Sequence, residues 1–196
     1  MVRILPELGK NAYLYSEIKK KQSHMDFLQL AKERYACRTY TDRKIAPETM
    51  VRILEAGRVA PTAVNFQPQR VIVVETPEGM ERLTRCTRDF KAAAALVVCA
   101  DTREAWTRKY DQMNHGVIDA TIVTDHMMME AQSQGVNSLW VCCFKPEIVR
   151  AEFNIPEGIE PINILFLGYS SEAPLSPDRH AELRKPLSET VVYEKF

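Results

Sequence analysis

The chain has 196 residues, 45% hydrophobic and 27% charged, with 26 lysines plus arginines balanced by 26 aspartates plus glutamates. A length of this order favours one domain with its own core, and the composition fits neither a disordered chain nor a membrane protein. Zero net charge argues against a dedicated duplex-binding protein, which needs a basic excess to displace counterions, yet leaves room for a small polyanion held by a local arginine cluster.

Residues 1–24 are punctuated by Pro6, Gly9 and Asn11 and carry a Lys19-Lys20-Lys21 run. They read as an extension, loosely ordered or docked on a partner subunit, without the apolar block of a secretory signal. Met25, a candidate functional start, opens the first convincing helix, with Asp26 as its cap and Phe27, Leu28, Leu30, Ala31 and Tyr35 as its apolar face. A second helix is expected from Pro47, with Met50, Ile53 and Leu54 inward and Pro61 as its stop. Val71 to Val74 reads as a buried strand, Pro77 starts a short helix, and Ala95 to Ala100 forms the next strand. Gln112 to Gln134 is the longest helix, apolar on more than one side and closed by Gly135. Asn137 to Val141, a short helix from Pro146 and a buried strand over Ile162 to Leu167 complete the pattern. The tail beyond Gly168 is polar, broken by Pro174, Pro177 and Pro186, and expected to run over a surface. Alternating helices and apolar strands indicate a layered αβα domain.

Five cysteines (Cys37, Cys86, Cys99, Cys142, Cys143) make an odd number without C-x-x-C spacing, so the chain reads as cytosolic and reduced, with no structural zinc. Cys99 reads as a small hydrophobe, and Cys142 and Cys143 as buried unreactive thiols in preference to a vicinal disulfide or redox relay. No G-x-G pair, P-loop, H-E-x-x-H or G-x-S-x-G occurs, which weakens the Rossmann, zinc-enzyme and serine-hydrolase classes. His115, His126 and His180 are scattered, and the arginines of Arg82, Arg85 and Arg88 read equally as a solvated helix face.

Three clusters remain. Arg34 and Arg38 stand four apart where the first helix ends, able to share a phosphate or simply to solvate a helix end. Pro61 to Pro68 is a stiff loop carrying Thr62, Asn65 and Gln67, whose polar groups serve either a ligand or the loop itself. Gly135 to Phe144 is a helix stop followed by a strand and its end, either a core strand or the edge of a ligand site.

In their order these clusters resemble the FMN-dependent nitroreductase-like oxidoreductases. The R-x-S-x-R-x-F-like stretch appears as Arg34 to Tyr40, and the P-S-x-x-N-x-Q-P-W-like loop as Pro61 to Pro68. The G-x-x-S-x-W-like segment appears as Gly135 to Trp140, the I-P…P…L-G-Y stretch as Ile155-Pro156 with Pro161 to Tyr169, and the terminal R-x-P as Arg184-Lys185-Pro186. The resemblance runs from about Met25 to the end. It implies an α+β, three-layer αβα fold with a central mixed sheet, in an intertwined homodimer whose two FMN sites lie at the interface. Residues 25–196 would form the single FMN-binding domain, with the tail from about residue 170 packed on the partner subunit.

The FMN-binding set that the resemblance implies starts with Arg34, Tyr35, Ala36 and Arg38 around the phosphate and ribityl chain, joined by Arg184 and Lys185. Pro61, Thr62, Ala63, Asn65 and Gln67 would come from the other subunit. Val141, Cys142 and Cys143 would present backbone amides to the flavin ring, where a hydrogen-bond donor stabilises negative charge arriving at N5. No side chain is implied as general acid, and no metal. The cycle implied is ping-pong: NAD(P)H reduces the flavin, leaves, and a nitroaromatic, quinone or similar electrophile takes its place. The departures are Ala36 for a serine, Thr62 for a serine, Gln69 for an aromatic and Cys143 for a frequent glycine. An FMN-binding storage or sensor protein without turnover is the alternative, and a flavin-independent module with a phosphate-binding corner a further one.

Overall fold

The computed structural model describes residues 26–196. The extension expected over residues 1–24, and Met25 as a start, lie outside the described residues. The first helix, α1 (Phe27–Glu33), is shorter than the expected run to Tyr35 and buries only Leu30. Phe27 and Leu28, assigned to its inward face by periodicity, are exposed. Three helices begin on a proline: α2 (Pro47–Val59), α3 (Pro77–Cys86) and α5 (Pro146–Glu152). Proline is at home there because its missing N–H would have no intrahelical acceptor. The long α4 (Gly116–Ser133) starts later than the expected Gln112. Gln112 has φ 61°, and the Gly116 N–H is taken by Asn114 Oδ1 at 3.0 Å, so residues 102–115 form an excursion ahead of the helix. Gly135, at φ 71°, supplies the left-handed stop, and the Val136 N–H returns to Ala131 O at 2.8 Å.

Strands β1 (Gln69–Val74), β2 (Ala94–Asp101), β3 (Asn137–Val141) and β4 (Ile159–Gly168) form one sheet in the order β1-β2-β4-β3. All three named pairings are antiparallel. The parallel component of the expected mixed sheet is, among the described residues, an isolated bridge between Ala36 and Ser138. β1 is an edge strand with only Val74 buried, not the buried strand its valines suggested, whereas every residue of β2 is buried. The registers Leu96↔Leu165 and Val97↔Ile164 put alternate residues on alternate faces. Leu96, Val98, Leu165 and Leu167 pack with Met50, Ile53, Val123 and Met127 of α2 and α4. Val97, Cys99, Ile164 and Phe166 pack with Leu83 and Val149 of α3 and α5. Helices on both faces of one sheet are the expected αβα layers. The ladder shifts between Val98↔Asn163 and Cys99↔Pro161, a bulge where Pro161 has no N–H to donate. The tail adds a 3₁₀ turn at Pro177–Arg179 and two short helices, α6 (His180–Leu183) and α7 (Leu187–Thr190), none with a buried residue.

Candidate functional site

The first part of the site is an arginine corner. Helix α1 ends on Arg34, whose backbone turns extended at φ −61°, ψ 130°. Its last carbonyls, which no helical N–H can reach, are taken by the tail: Arg179 donates from Nη1 to Lys32 O at 2.9 Å and from Nη2 to Arg34 O at 2.7 Å. A ring nitrogen of His180 lies 3.2 Å from Lys32 O. This pins the tail beside Arg34 and gathers three guanidiniums. The Arg34 pKa is lowered by burial first and then by the positive charges of Arg179 and Arg184, with only Asp125 of α4 acting in the other direction. Arg34 and Arg184 are thus brought together as the motifs implied. Arg179 was missed; Ser176 and Pro177 announce a turn start, but nothing in the sequence says where a side chain three residues on will reach. Arg38 is exposed and donates to Ala36 O at 3.3 Å, and Lys185 lies 3.9 Å from Glu189.

The second part is a strand end. From Arg34 the chain runs beside β3, with the Cys37 N–H on Ser138 O at 2.9 Å. Tyr35 and Cys37 are buried, so the period-two alternation turns Ala36 and Arg38 the other way. Cys142 lies four residues past Ser138, about 13 Å along an extended chain. The Cys142 and Cys143 N–H groups have no partner among the described residues. Cys143 O is turned away, accepting from Thr87 Oγ1 at 2.7 Å. Both cysteines are free and exposed, correcting the expectation of buried thiols: the strand pairing stops at Val141↔Ile164, and no described residue covers the turn beyond it. Cys99 is the buried hydrophobe expected, its thiol pushed up to about 12 by burial.

The third part is the loop after α2. Val64, Asn65 and Gln67 have φ of 54°, 58° and 54°, a region costly for a β-branched valine. The loop is held by Thr62 Oγ1, which accepts from the Gln67 N–H at 3.1 Å, and by Asp119 Oδ1 of α4, which accepts from the Ala63 N–H at 2.9 Å. Asp119 is buried and its Oδ2 has no partner among the described residues. It was missed because an acid in a first helical turn reads as a dipole partner. Asp119 and Asp125 are six residues apart, roughly 9 Å along α4 and about 240° around it. The loop and the arginine corner therefore face different sides of that helix.

A cleft of about 540 Å³ opens between the end of α3 and the β3–α5 turn, lined by Arg85, Arg88, Phe90, Cys143, Phe144 and Lys145 among others. No cluster of metal-ligating side chains occurs among the described residues, and no described helix is long and apolar enough to cross a membrane.

The chain is similar to known proteins. The "Nitroreductase family" profile matches residues 31–89 and 82–169. The crystal structure of a nitroreductase family protein from Clostridium difficile 630 is 48% identical, covering 88% of this chain and all of its own, with a TM-score of 0.86. A "Putative NADH dehydrogenase/NAD(P)H nitroreductase" of Methanothermobacter thermautotrophicus is 30% identical over 81% of this chain and 87% of its own length. An "FMN reductase [NAD(P)H]" of Bacillus subtilis is 23% identical over 69% of this chain and 62% of its own. With its αβα layers and the motifs from Arg34 to Arg184 in order, the chain belongs to the nitroreductase family.

Proposed function

We propose that this protein is an NAD(P)H-dependent FMN oxidoreductase, acting as a homodimer in which each FMN site is built from both chains. The observation that carries this reading is the arginine corner. Arg34 is half-buried, and its charged form is disfavoured by Arg179 and Arg184 with a single opposing carboxylate. A phosphate bound there offsets that repulsion and accepts charge-assisted hydrogen bonds, so the corner fits the phosphate end of FMN. Ala36 and Arg38 follow Arg34 along the chain and Lys185 follows Arg184, and Tyr35 is the buried anchor of the first of these segments.

The far end of β3 fits a ring. Val141 closes the strand, and the unpartnered N–H groups of Cys142 and Cys143 are preset donors for charge arriving on an electron-poor ring, without reorganisation of the backbone. FMN, when bound, supplies the means of moving a hydride from NAD(P)H to a second substrate by a ping-pong cycle. The chain's residues bind and orient; none need move a proton, because solvent reaches the exposed Cys142–Cys143 edge. Nitroaromatics, quinones and similar electrophiles are the acceptors this arrangement suits.

The loop of Pro61, Thr62, Ala63, Asn65 and Gln67 faces away from the arginine corner of its own chain, which supports its serving the partner's site. Phe27, Leu28, Val59, Val117 and Ile118 are exposed apolar residues on α1, α2 and α4, a surface suited to a second copy.

The test is the visible spectrum of the purified protein, followed anaerobically through addition of NADH and then NADPH. We expect a flavin spectrum that bleaches within seconds, and weaker flavin retention in Arg34→Ala by about tenfold or more, for a charged partner of roughly 1.5–3 kcal/mol. A stable flavin spectrum overturns turnover in favour of storage or sensing. A colourless protein that takes up no added FMN overturns the flavin reading.

A further inference from the structure

We infer that the cleft between α3 and the β3–α5 turn is the acceptor's subsite and selects aromatic or conjugated carboxylates; this rests on the flavin reading above. Arg82 and Arg85 of α3 and Arg88, just beyond its end, are given different work by the structure. Arg82 donates to Glu152 O at 3.1 Å and Arg85 to the Glu152 carboxylate at 3.0 Å, together fastening α5. Arg88 has no carboxylate partner among the described residues, and neither has Lys145, across the cleft. Both are exposed, and no acidic residue lines the cleft.

The remaining polar groups of the wall are already spent. Thr84 Oγ1 donates to Glu81 O at 2.7 Å and Thr87 Oγ1 to Cys143 O at 2.7 Å. The charged groups of the wall without a carboxylate partner among the described residues are therefore two cations, beside the unpartnered Cys143 N–H assigned above to the flavin ring, and the apolar part of the wall is Phe90, Phe144 and Val141. Phe90 is held by Phe166 at 5.2 Å between centroids and has the Arg88 guanidinium over its ring at 5.6 Å, so cation and ring form one wall against which a conjugated anion can lie. A volume of about 540 Å³ is that of a small-molecule site. An anion on a flat apolar body satisfies both kinds of wall; a neutral ring leaves the cations unmatched, and a simple inorganic anion leaves the apolar wall uncovered. Val141 and Cys143 belong both to this cleft and to the strand end assigned to the flavin ring, so a molecule seated here lies beside the point of reduction.

For a nitro acceptor the reaction balances with the donor already named. One hydride from NAD(P)H and one proton from water convert nitro to nitroso; one N–O bond breaks and its oxygen leaves as water.

The experiment compares 4-nitrobenzoate with its neutral analogue 4-nitrobenzamide, in the wild-type flavin-loaded protein and in Arg88→Gln/Lys145→Gln. Both binding, by equilibrium dialysis, and NADH-driven reduction are measured. We expect the wild type to prefer the carboxylate by about tenfold or more in Kd and in kcat/KM, the effect of charge-assisted contacts that only the anion makes. The double variant loses that preference, the ratio between the two probes falling towards one. Equal affinity for the two probes in the wild type, or an undiminished preference in the variant, overturns the proposal. So does tight carboxylate binding without reduction while nitrobenzamide is reduced, or a rise in KM for NADH in place of the carboxylate effect. If neither probe is reduced and the flavin is not bleached, the oxidoreductase reading fails, and the acceptor assignment with it. The dialysis arm then still distinguishes a carboxylate-binding cleft from none.

Discussion

Val64 holds a left-handed backbone at φ 54° with its side chain exposed, so nothing that Val64 itself touches explains the conformation. Its neighbour does. The Ala63 N–H is bound by a buried carboxylate 56 positions away, and Thr62 closes the loop on Gln67. Strain of this kind persists only where surrounding bonds over-determine it. Asp119→Ala leaves the Ala63 N–H without its acceptor, and we expect a loss of about 1–3 kcal/mol in urea unfolding. Asp119→Asn keeps an acceptor oxygen and should recover most of that loss; equal midpoints for wild type and the alanine variant would remove Asp119 as the loop's anchor. Arg34, Thr62 and Asn65 could be named as candidates because each sits in a motif of fixed spacing. Asp119 and Arg179 were not. Arg179 acts on Arg34 O from 145 positions away, a distance at which spacing carries no information.

At the level of elements, chemistry local to the backbone was readable. Prolines at first helical turns, the left-handed Gly135 and the apolar runs of β2 and β4 each act within a few residues, and the structure bears them out. Exposure was less readable, since it depends on what else arrives: β1 has ordinary strand valines but lies at the sheet edge, and α1 turns Phe27 and Leu28 outward. The excursion after β2 shows how one acid organises an element. Asp101, itself buried at the strand end, accepts from the Arg103 backbone N–H at 3.1 Å and from its Nε and Nη2 at 2.9 and 2.7 Å. The Arg103 side-chain bonds, and then its backbone N–H, lower the Asp101 carboxyl from 3.8 to about 2. A carboxyl depressed on folding contributes stability that is complete above its ordinary value and is lost as pH falls through the depressed one. Stability should therefore fall between about pH 4 and pH 2, and Asp101→Asn should flatten that limb while leaving the slope near neutrality alone. A limb of unchanged steepness in the variant, followed by circular dichroism, would assign acid sensitivity elsewhere.

The whole molecule separates two tasks. The central strands β2 and β4, covered by helices on both faces, do the folding, with Thr124 of α4 donating to Asn163 Oδ1 of β4 as a buried polar pair between helix and sheet. The candidate binding groups lie where this core ends: the arginine corner under the tail, the strand end at Cys142–Cys143, and the loop anchored on Asp119. Two of these run along β3, and the third faces a different side of α4. On the reading proposed above, a single chain presents a phosphate end and a ring end without the wall to enclose them, together with a wall that has nothing of its own to enclose. On that reading two copies would complete each other, and the exposed apolar residues of α1, α2 and α4 offer a surface suited to their meeting. If each site is shared, flavin binding and dimerisation are linked: the bound cofactor stabilises the dimer, and dilution weakens both together. Sedimentation velocity recorded at the flavin's visible band, over falling protein concentration, should show visible absorbance travelling only with dimer and appearing as free flavin once monomer forms. Added FMN should then shift the dimer's dissociation to lower protein concentration. Visible absorbance sedimenting with monomer would mean that one chain suffices, and the Pro61–Pro68 loop would have to be reassigned from the flavin wall to the support of its own fold.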